Sequence, residues 1–352
     1  MKKVVILALA LLLCAGLMTA CGDSGAGENG TLNLYTWAGM FDPDMIAGFE
    51  EETGITVNYV NFDYDETMLA RLEATEGGEY DLVIADDYII ETVIAEGLAQ
   101  KLDTSKMSNY ANINPLYQGQ FFDPNDEYTV PFASGVQTIA YNPDVVDIEI
   151  KGYEDLWDPS LADSVGVNGN YRVVNGMALK TLGYSYNTND IAQIEEAGEK
   201  LYELADNIRL IKDDNLQDDL LSGEVGATVM YTSQVTLAKM ANPDIQIVYP
   251  EEGIGFGIMA MFIPSQAPNA DAAYQFMNYI LDAERGARCA EYVGYYCTNK
   301  AAEAYIADEY KDFLILPEEF SADDMEMIAN ISAEANEKHA EIWTEFKTRC
   351  GQ

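Results

Sequence analysis

The sequence predicts an α/β protein with two lobes, hinge strands and a cleft between the lobes. Short apolar strands alternate with amphipathic helices along most of the chain, which is the pattern of sheets covered by helices. The segment of residues 80–85 is almost continuously apolar, as buried parallel strands are. Two longer extended segments, residues 128–141 and 255–264, are suited to carry the chain between lobes. Lobes joined in this way enclose a cleft that can close on a ligand.

The first lobe begins with a strand, a helix and a second strand. Residues 31–35 form the first strand, and the helix that follows Asp42 has Pro43 at its first position and Gly54 just after its end. Residues 55–59 form the second strand. The next elements are a helix carrying Met68, Leu69 and Leu72, a Gly77-Gly78 turn and the buried strand of residues 80–85.

The second lobe repeats this arrangement after the first crossing. Its predicted elements are helices over residues 171–182 and 191–205 and strands over residues 208–211 and 226–231. The crossings then divide the chain into two lobes, with mostly parallel sheets in each. We expect the first lobe to comprise residues 31–134 and 259–303, and the second residues 135–258 and 304–352.

The N-terminal segment predicts a signal sequence and a lipid anchor. Two lysines precede an apolar run over residues 4–17, which is too short for a permanent membrane helix. Two small residues then precede Cys21, as in a bacterial lipobox, so Cys21 is the expected lipidated N-terminus after removal of residues 1–20. A plain signal peptide with Cys21 as a chance thiol is the alternative. Residues 21–30 read as a flexible tether.

The chain is strongly acidic, with 60 Asp and Glu against 19 Lys and Arg and a formal net charge of −41. Phosphate binding needs clustered Lys and Arg, so nucleic acid is not an expected partner. The acidity favours solubility in an exposed compartment. A long-range negative potential also favours the arrival of a cationic ligand.

The cysteines and the single histidine form no metal or catalytic motif. His339 lies in a predicted C-terminal helix without a Cys-x-x-Cys pair or a His/Cys cluster, so we expect no zinc site, no His-based triad and no cofactor. Cys289 and Cys297 are close in sequence, in a chain predicted to enter an oxidising compartment. They form either a disulfide or two buried thiols, because spacing does not reveal the separation of their Cα atoms.

Several short motifs occur in the order and spacing of a known family. They are Leu34-Tyr35-Thr36-Trp37, residues 49–55, residues 80–84, residues 177–185, and Gly294-Tyr295 with Thr298-Asn299. From about Thr31 to Asn299 the chain resembles the spermidine/putrescine-binding branch of the ABC importer solute-binding proteins. The resemblance implies the fold of periplasmic binding proteins, in which two α/β lobes close on a solute and dock on a membrane permease. It also implies that the protein is not an enzyme.

The resemblance places four aromatic residues at the cleft. Trp37 matches the aromatic residue that the family has after its first strand. Tyr88 matches the aromatic residue in the loop after the family's fourth strand, and Tyr295 also matches an aromatic residue of the family. Tyr231 stands where the family often has Trp. An aromatic face attracts a protonated amine by about 0.5–2 kcal/mol and holds an apolar linker equally well. The rings therefore suit a polyamine.

The carboxylates are where the sequence departs from the family. The family's acid near the start of the second lobe's main helix corresponds to Asn170 in this sequence, and the second acid three residues later corresponds to Val173. The acid that the family has on the returning strand corresponds to Met259. Asp86 stands where the family usually has a small hydroxyl residue, and Asp87 is beside it. Either one carboxylate has moved to the other lobe or these acids only begin a helix, where acids are common.

Three functions are compatible with these observations. The first is the binding component of an importer for a polyamine, such as putrescine or spermidine, or a related small amine. The second keeps the fold and changes the solute to a neutral or zwitterionic one, and the third is an extracellular hydrolase that uses two of the many acids. We expect a monomer held outside the cytoplasm by its lipid. The predicted ligand-binding residues are Trp37, Asp86, Tyr88, Asn170, Tyr231, Met259 and Tyr295.

Overall fold

The computed structural model describes residues 30–212, 215–315 and 325–351. The predicted signal sequence of residues 1–20, Cys21 and the predicted tether apart from Gly30 lie outside the described residues. Within the described ranges, no helix combines the length and the apolar character needed to cross a membrane.

A mixed sheet runs through both halves of the described chain. Its strands are β1 (Thr31–Thr36), β2 (Thr56–Asn61), β3 (Leu82–Asp86), β4 (Thr129–Tyr141), β5 (Val165–Val167), β6 (Ile208–Ile211), β7 (Ala227–Tyr231), β8 (Gln246–Val248), β9 (Ile254–Phe262), β10 (Tyr296–Cys297) and β11 (Met325–Met327). The main strand order is β2-β1-β3-β9-β4-β7-β5-β6. Strands β8 and β10 pair with β4, and β11 pairs with β9. The predicted crossings of residues 128–141 and 255–264 are thus β4 and β9, at the centre of the sheet.

Helices pack around the sheet and begin close to where the sequence places them. They are α1 (Pro43–Thr53), α2 (Asp65–Thr75), α3 (Asp87–Ala95), α4 (Tyr171–Thr181), α5 (Ile191–Glu203), α6 (Leu216–Ser222), α7 (Thr232–Ala241), α8 (Ala270–Ile280), α9 (Ala283–Val293), α10 (Lys311–Leu314) and α11 (Ala333–Arg349). The Asp42 side chain accepts a hydrogen bond from the Asp44 N–H at 2.9 Å and caps α1. Gly54 ends that helix with φ 71°, which favours glycine.

The sheet is parallel away from the crossings and antiparallel at them. β1 pairs in parallel with β2 and β3, and β5 pairs in parallel with β6 and β7. β9 is antiparallel to β3 and β4, and β4 is antiparallel to β7. The exception at the crossings is β11, which pairs in parallel with β9. The expectation of mostly parallel sheets therefore holds for the outer strands, whereas the crossing strands are antiparallel to β3, β7, β8, β10 and each other.

Each half of the chain has its own apolar core. One core surrounds Phe276 and includes side chains of α1, β1 and α8, and the other surrounds Phe346 and includes side chains of α4, α5 and α11. The C-terminal helix α11 packs against α4 and α5. Ile306 and Phe313 pack with Ala287, and helix α10, which carries Phe313, also contacts α7 of the second half.

Candidate functional site

A cavity of about 450 Å³ lies beside the crossing strands β4 and β9, between the two halves of the chain. Small-molecule sites in proteins commonly enclose about 300–1,000 Å³. All seven predicted ligand-binding residues lie in its wall. The lining residues are Trp37, Met40, Asp86, Asp87, Tyr88, Gly135, Gln137, Asn170, Tyr231, Phe256, Gly257, Met259, Tyr295 and Ile328.

The four predicted rings reach the cavity from the ends of strands and helices. Trp37 directly follows β1, and its ring centroid lies 5.0 Å from that of Phe62. Tyr88 lies in the first turn of α3 rather than in a loop. Tyr231 is the last residue of β7, and Tyr295 lies between α9 and β10. These positions lie at the ends of β1, α3, β7 and β10, and all four line the same cavity.

Gly135 allows two of the rings to lie close to the backbone of β4. A Cβ atom at this position would be 3.4 Å from the Tyr295 ring and 3.8 Å from the Tyr231 ring. Any larger side chain would occupy the space beside the rings. Gly135 lies within the predicted crossing segment of residues 128–141, and the structure places it in the cavity wall.

Asn170 is both a helix cap and a cavity residue. Its Oδ1 accepts a hydrogen bond from the Arg172 N–H at 3.0 Å and caps α4. Its Nδ2 donates to the Tyr231 hydroxyl at 3.2 Å. Both ends of the amide are therefore engaged, and the side chain orients the Tyr231 ring. Val173, the other position where the family has an acid, is only 1% exposed and belongs to the core of the second half.

Met259 and Asp86 are register partners on β9 and β3. Met259 is 8% exposed and contributes an apolar surface to the cavity. Asp86 ends β3 and remains partly accessible because it faces the cavity. Burial, followed by the negative charge of Asp87, raises the pKa of Asp86 above that of an ordinary aspartate.

Asp87 connects α3 to the crossing strand β9. The side chain is 5% exposed, and its Oδ2 accepts a hydrogen bond from the Ile258 N–H at 2.7 Å. Burial is the main cause that raises the pKa of Asp87 to about 7, and the Ile258 hydrogen bond acts against the increase. One oxygen of Asp87 is thus committed to the fold, which leaves Asp86 as the more available carboxylate.

Gln137 in the cavity wall and Asp65 outside it are two polar residues that were not predicted from the sequence. Gln137 on β4 lines the cavity and is 4% exposed, and its Oε1 has no hydrogen-bond partner within the described residues. Asp65 begins α2, is 5% exposed and lies behind Asp86. The Asp65 position had a visible signal only as an acid at a helix N-terminus, which is too common to single it out.

Cys289 and Cys297 are free thiols in the structure. They line a small cavity of about 20 Å³, which has room for about one water molecule. Burial is the main cause that raises the pKa of each thiol to about 12. Of the two alternatives left open by the sequence, the structure therefore contains two buried thiols and no bond between them.

Two α/β halves joined by crossing strands, with a ligand-sized cavity at the junction, define a two-lobed binding protein. A family model described as bacterial extracellular solute-binding protein matches residues 44–317. The chain belongs to this family. The family assignment agrees with the expectation drawn from the sequence motifs.

Named relatives and a solved structure extend the likeness over most of the chain. The spermidine/putrescine-binding periplasmic protein of Salmonella typhimurium is 34% identical over 300 residues, which are 85% of this chain and 86% of that protein. The putrescine-binding periplasmic protein PotF of Escherichia coli is 30% identical over 323 residues, or 86% of each chain. The structure of the spermidine/putrescine ABC transporter substrate-binding protein PotD from Streptococcus pneumoniae superposes with a TM-score of 0.85 at 31% identity. It covers 91% of this chain and 99% of that one.

Proposed function

We propose that the protein is the solute-binding component of an ABC importer and that its solute is a polyamine such as putrescine or spermidine. The observation that carries the proposal is the cavity wall, which combines Asp86 with five aromatic side chains and has no Lys or Arg among the described residues that line it. A protonated amine finds there a carboxylate for its charge and ring faces for its charge and its methylene chain. The relatives named for putrescine and spermidine support this choice of ligand.

Charge balance favours Asp86 as the partner of one ammonium group. Taking an ammonium group out of water without a partner costs several kcal/mol, so an amine site needs a carboxylate within reach. Asp87 already accepts a hydrogen bond from the backbone of β9, while Asp86 faces the cavity. The buried, unpartnered Oε1 of Gln137 would become a further acceptor for an ammonium group if the side chain turned toward the cavity.

A neutral or zwitterionic solute is the second candidate. It is favoured by Asn170 and Met259, which line the cavity without charge at positions where the family resemblance expects acids. A ligand with a single ammonium group would need only Asp86. The choice between the two solutes thus depends on whether a second ammonium group gains enough from Gln137 and the rings.

Three ligands of equal chain length separate these candidates. Calorimetry would compare putrescine, which has two ammonium groups, with 4-aminobutyrate, a zwitterion, and 1,4-butanediol, which is neutral. We expect putrescine to bind most tightly. Binding of neither putrescine nor spermidine would overturn the polyamine proposal and leave the family assignment standing. Tighter binding of 4-aminobutyrate would select the second candidate.

We propose that the cavity binds its ligand without catalysis. Hydrolysis of a glycosidic bond uses two carboxyl groups about 5–9.5 Å apart that flank the bond. The acids that line the cavity are Asp86 and Asp87, which are adjacent in the chain, and Asp87 holds the β9 backbone. Recovery of the bound ligand unchanged after long incubation supports this proposal, and appearance of a product would contradict it.

We further propose that Cys21 carries a lipid that holds the protein at the outer face of the cell membrane, where it delivers its solute to a permease as a monomer. The lobes would comprise residues 31–134 with 259–303, and 135–258 with 304–352. Support for the anchor comes from the small residues before Cys21. Cys21→Ser should release the protein from the membrane fraction, and its retention there would reject the anchor.

A further inference from the structure

Asp65 is a buried acid that has no role in the proposed function. It is the first residue of α2, and its carboxyl group interacts with that of Asp86 on the cavity wall. Asp65 does not line the cavity itself. Two carboxylates in contact repel each other strongly, so such a pair favours the state in which one carboxyl group is protonated.

The hydrogen bonds around Asp65 leave one of its oxygens without a donor. The Tyr88 hydroxyl lies 3.4 Å from Asp65 Oδ2 and 3.1 Å from Glu66 Oε1. A phenol has one proton, so this hydroxyl can donate fully to only one of the two acids. Asp65 Oδ1 is buried and has no hydrogen-bond partner in the part of the chain that the structure describes. A proton between the two carboxyl groups would supply the missing donor.

The groups that face the pair are acidic or phenolic. Asp65 is faced by Glu66 and Tyr88, and Asp86 is faced by Asp87 and Glu66. The charge of Asp86 also acts on two tyrosines in the cavity wall, Tyr231 and Tyr295. Burial, followed by the charge of Asp86, raises the pKa of Asp65, and a hydrogen bond from the Asp86 backbone acts against the increase. The negative neighbours therefore add to burial in favouring a proton on the pair.

We propose that Asp65 and Asp86 share one proton in the ligand-free protein and that the binding of an amine releases it. The inference rests on the proposed polyamine function. The ammonium group keeps its own protons and takes the place of the shared proton beside Asp86. The carboxyl group gives that proton to the solvent, so the charge of the pair changes from −1 to −2. Asp65 acts through Asp86 and is a positioning residue.

This exchange makes amine affinity depend on pH. Where the pair holds its proton, affinity rises as pH rises, by at most about tenfold per pH unit for one released proton. Above the pKa of the pair, no proton remains to be displaced and the affinity becomes constant. A neutral diol has no ammonium group to replace the proton, so its binding should not rise with pH.

The decisive measurement is calorimetry of putrescine binding in several buffers that differ in ionisation enthalpy. The slope of observed enthalpy against buffer ionisation enthalpy counts the protons released, with no assumption about mechanism. We expect release that approaches one proton per bound amine at mildly acidic pH and falls toward zero at alkaline pH. Tight binding with no proton release at any pH would overturn the shared proton and leave the polyamine function standing. Failure of any amine to bind would overturn both.

Two matched variants assign the proton to the pair. Asp65→Asn removes the neighbouring charge and lets Asp86 ionise at a lower pH, so proton release should disappear at mildly acidic pH while putrescine still binds. Glu73→Gln removes a negative charge from an exposed position of the same helix that does not face the pair, and it should keep the release. Equal release by both variants would reject the role of Asp65. If Asp65→Asn fails to fold, the pH dependence of the unsubstituted protein still decides, because a flat affinity profile contradicts the proposal.

Discussion

Asp86 and Met259 face each other across the antiparallel strands β3 and β9, and both side chains line the same cavity. The Cβ atoms of two such partners are about 4.5–5.5 Å apart. The family resemblance expects an acid at Met259, and this chain has its acid on the neighbouring strand. Asp86 thus places a carboxylate beside the position where the resemblance expects one.

This relationship predicts that a carboxylate at position 259 can partly replace the carboxylate of Asp86. Asp86→Asn should weaken putrescine binding by at least about 1.5 kcal/mol, because it removes a charge-assisted hydrogen bond. Adding Met259→Asp to that variant should recover part of the loss, since the new carboxylate faces the same space. Calorimetry of both variants with putrescine and spermidine is the measurement.

The control for this exchange is Asp86→Asn combined with Met259→Leu, which changes the same two positions without restoring a charge. It should bind putrescine no better than Asp86→Asn alone. Amine binding that Asp86→Asn does not affect would mean that another carboxylate holds the ammonium group.

Trp37 should contribute to the binding of any solute, whatever its charge. Trp37→Ala removes contact area and a ring face, which is worth about 0.5–2 kcal/mol for a cation. Tyr64→Ala is the matched control, because Tyr64 is 71% exposed and lies outside the cavity wall. Calorimetry with putrescine and with the neutral diol should show a loss in the first variant only. Unchanged affinity of Trp37→Ala would remove this ring from the site.

The family resemblance placed the four rings and Asp86 at the cleft, and all five lie in the cavity wall, but the sequence did not show which residue faces Asp86. Trp37 and Tyr231 directly follow or end apolar strands, and strand ends meet at the cleft of a two-lobed fold. The residue opposite Asp86 depends on the register between β3 and β9, which are far apart in the chain. A one-residue shift of register would turn the side chains to the other face, and no local pattern fixes it.

The burial of Asp65 and its interaction with Asp86 could not be predicted from the sequence either. Its sequence neighbours make it an ordinary acid in the first turn of a helix, where acids are common. Its burial results from the packing of α2 against α3, which follows β3. The interaction of Asp65 with Asp86 therefore depends on the tertiary packing of α2 beside β3 and α3.

The thiols of Cys289 and Cys297 should both react with a thiol reagent in protein that is denatured without reduction. The structure keeps them as separate buried thiols, and Cys350 is a third free thiol in the described residues. In the folded protein the two should react slowly, because burial raises the pKa of each and limits access. A Cys350→Ser variant leaves only this pair among the described cysteines. Loss of both reactive thiols in that denatured variant would demonstrate a disulfide.

His339 should make the folded protein sensitive to acid. It is 1% exposed on α11, and Asn175 Nδ2 lies 3.0 Å from its Nδ1. Burial, with a smaller effect of the Arg172 charge, lowers the pKa of His339 to about 4. A histidine in the unfolded chain has a pKa of about 6.5, so the unfolded state takes up a proton first.

The sign of the effect follows from this difference in proton uptake. The contribution of His339 to stability is complete above pH 6.5 or so and is lost as the pH falls toward 4, by about 3 kcal/mol at most. Carboxyl groups titrate in the same range, so the test compares the protein with His339→Gln, which cannot take up this proton. Urea unfolding at pH 7 and pH 5 should show a smaller loss of stability on acidification for the variant. Equal losses would mean that His339 is protonated in the fold without cost, and that Asn175 does not hold it neutral.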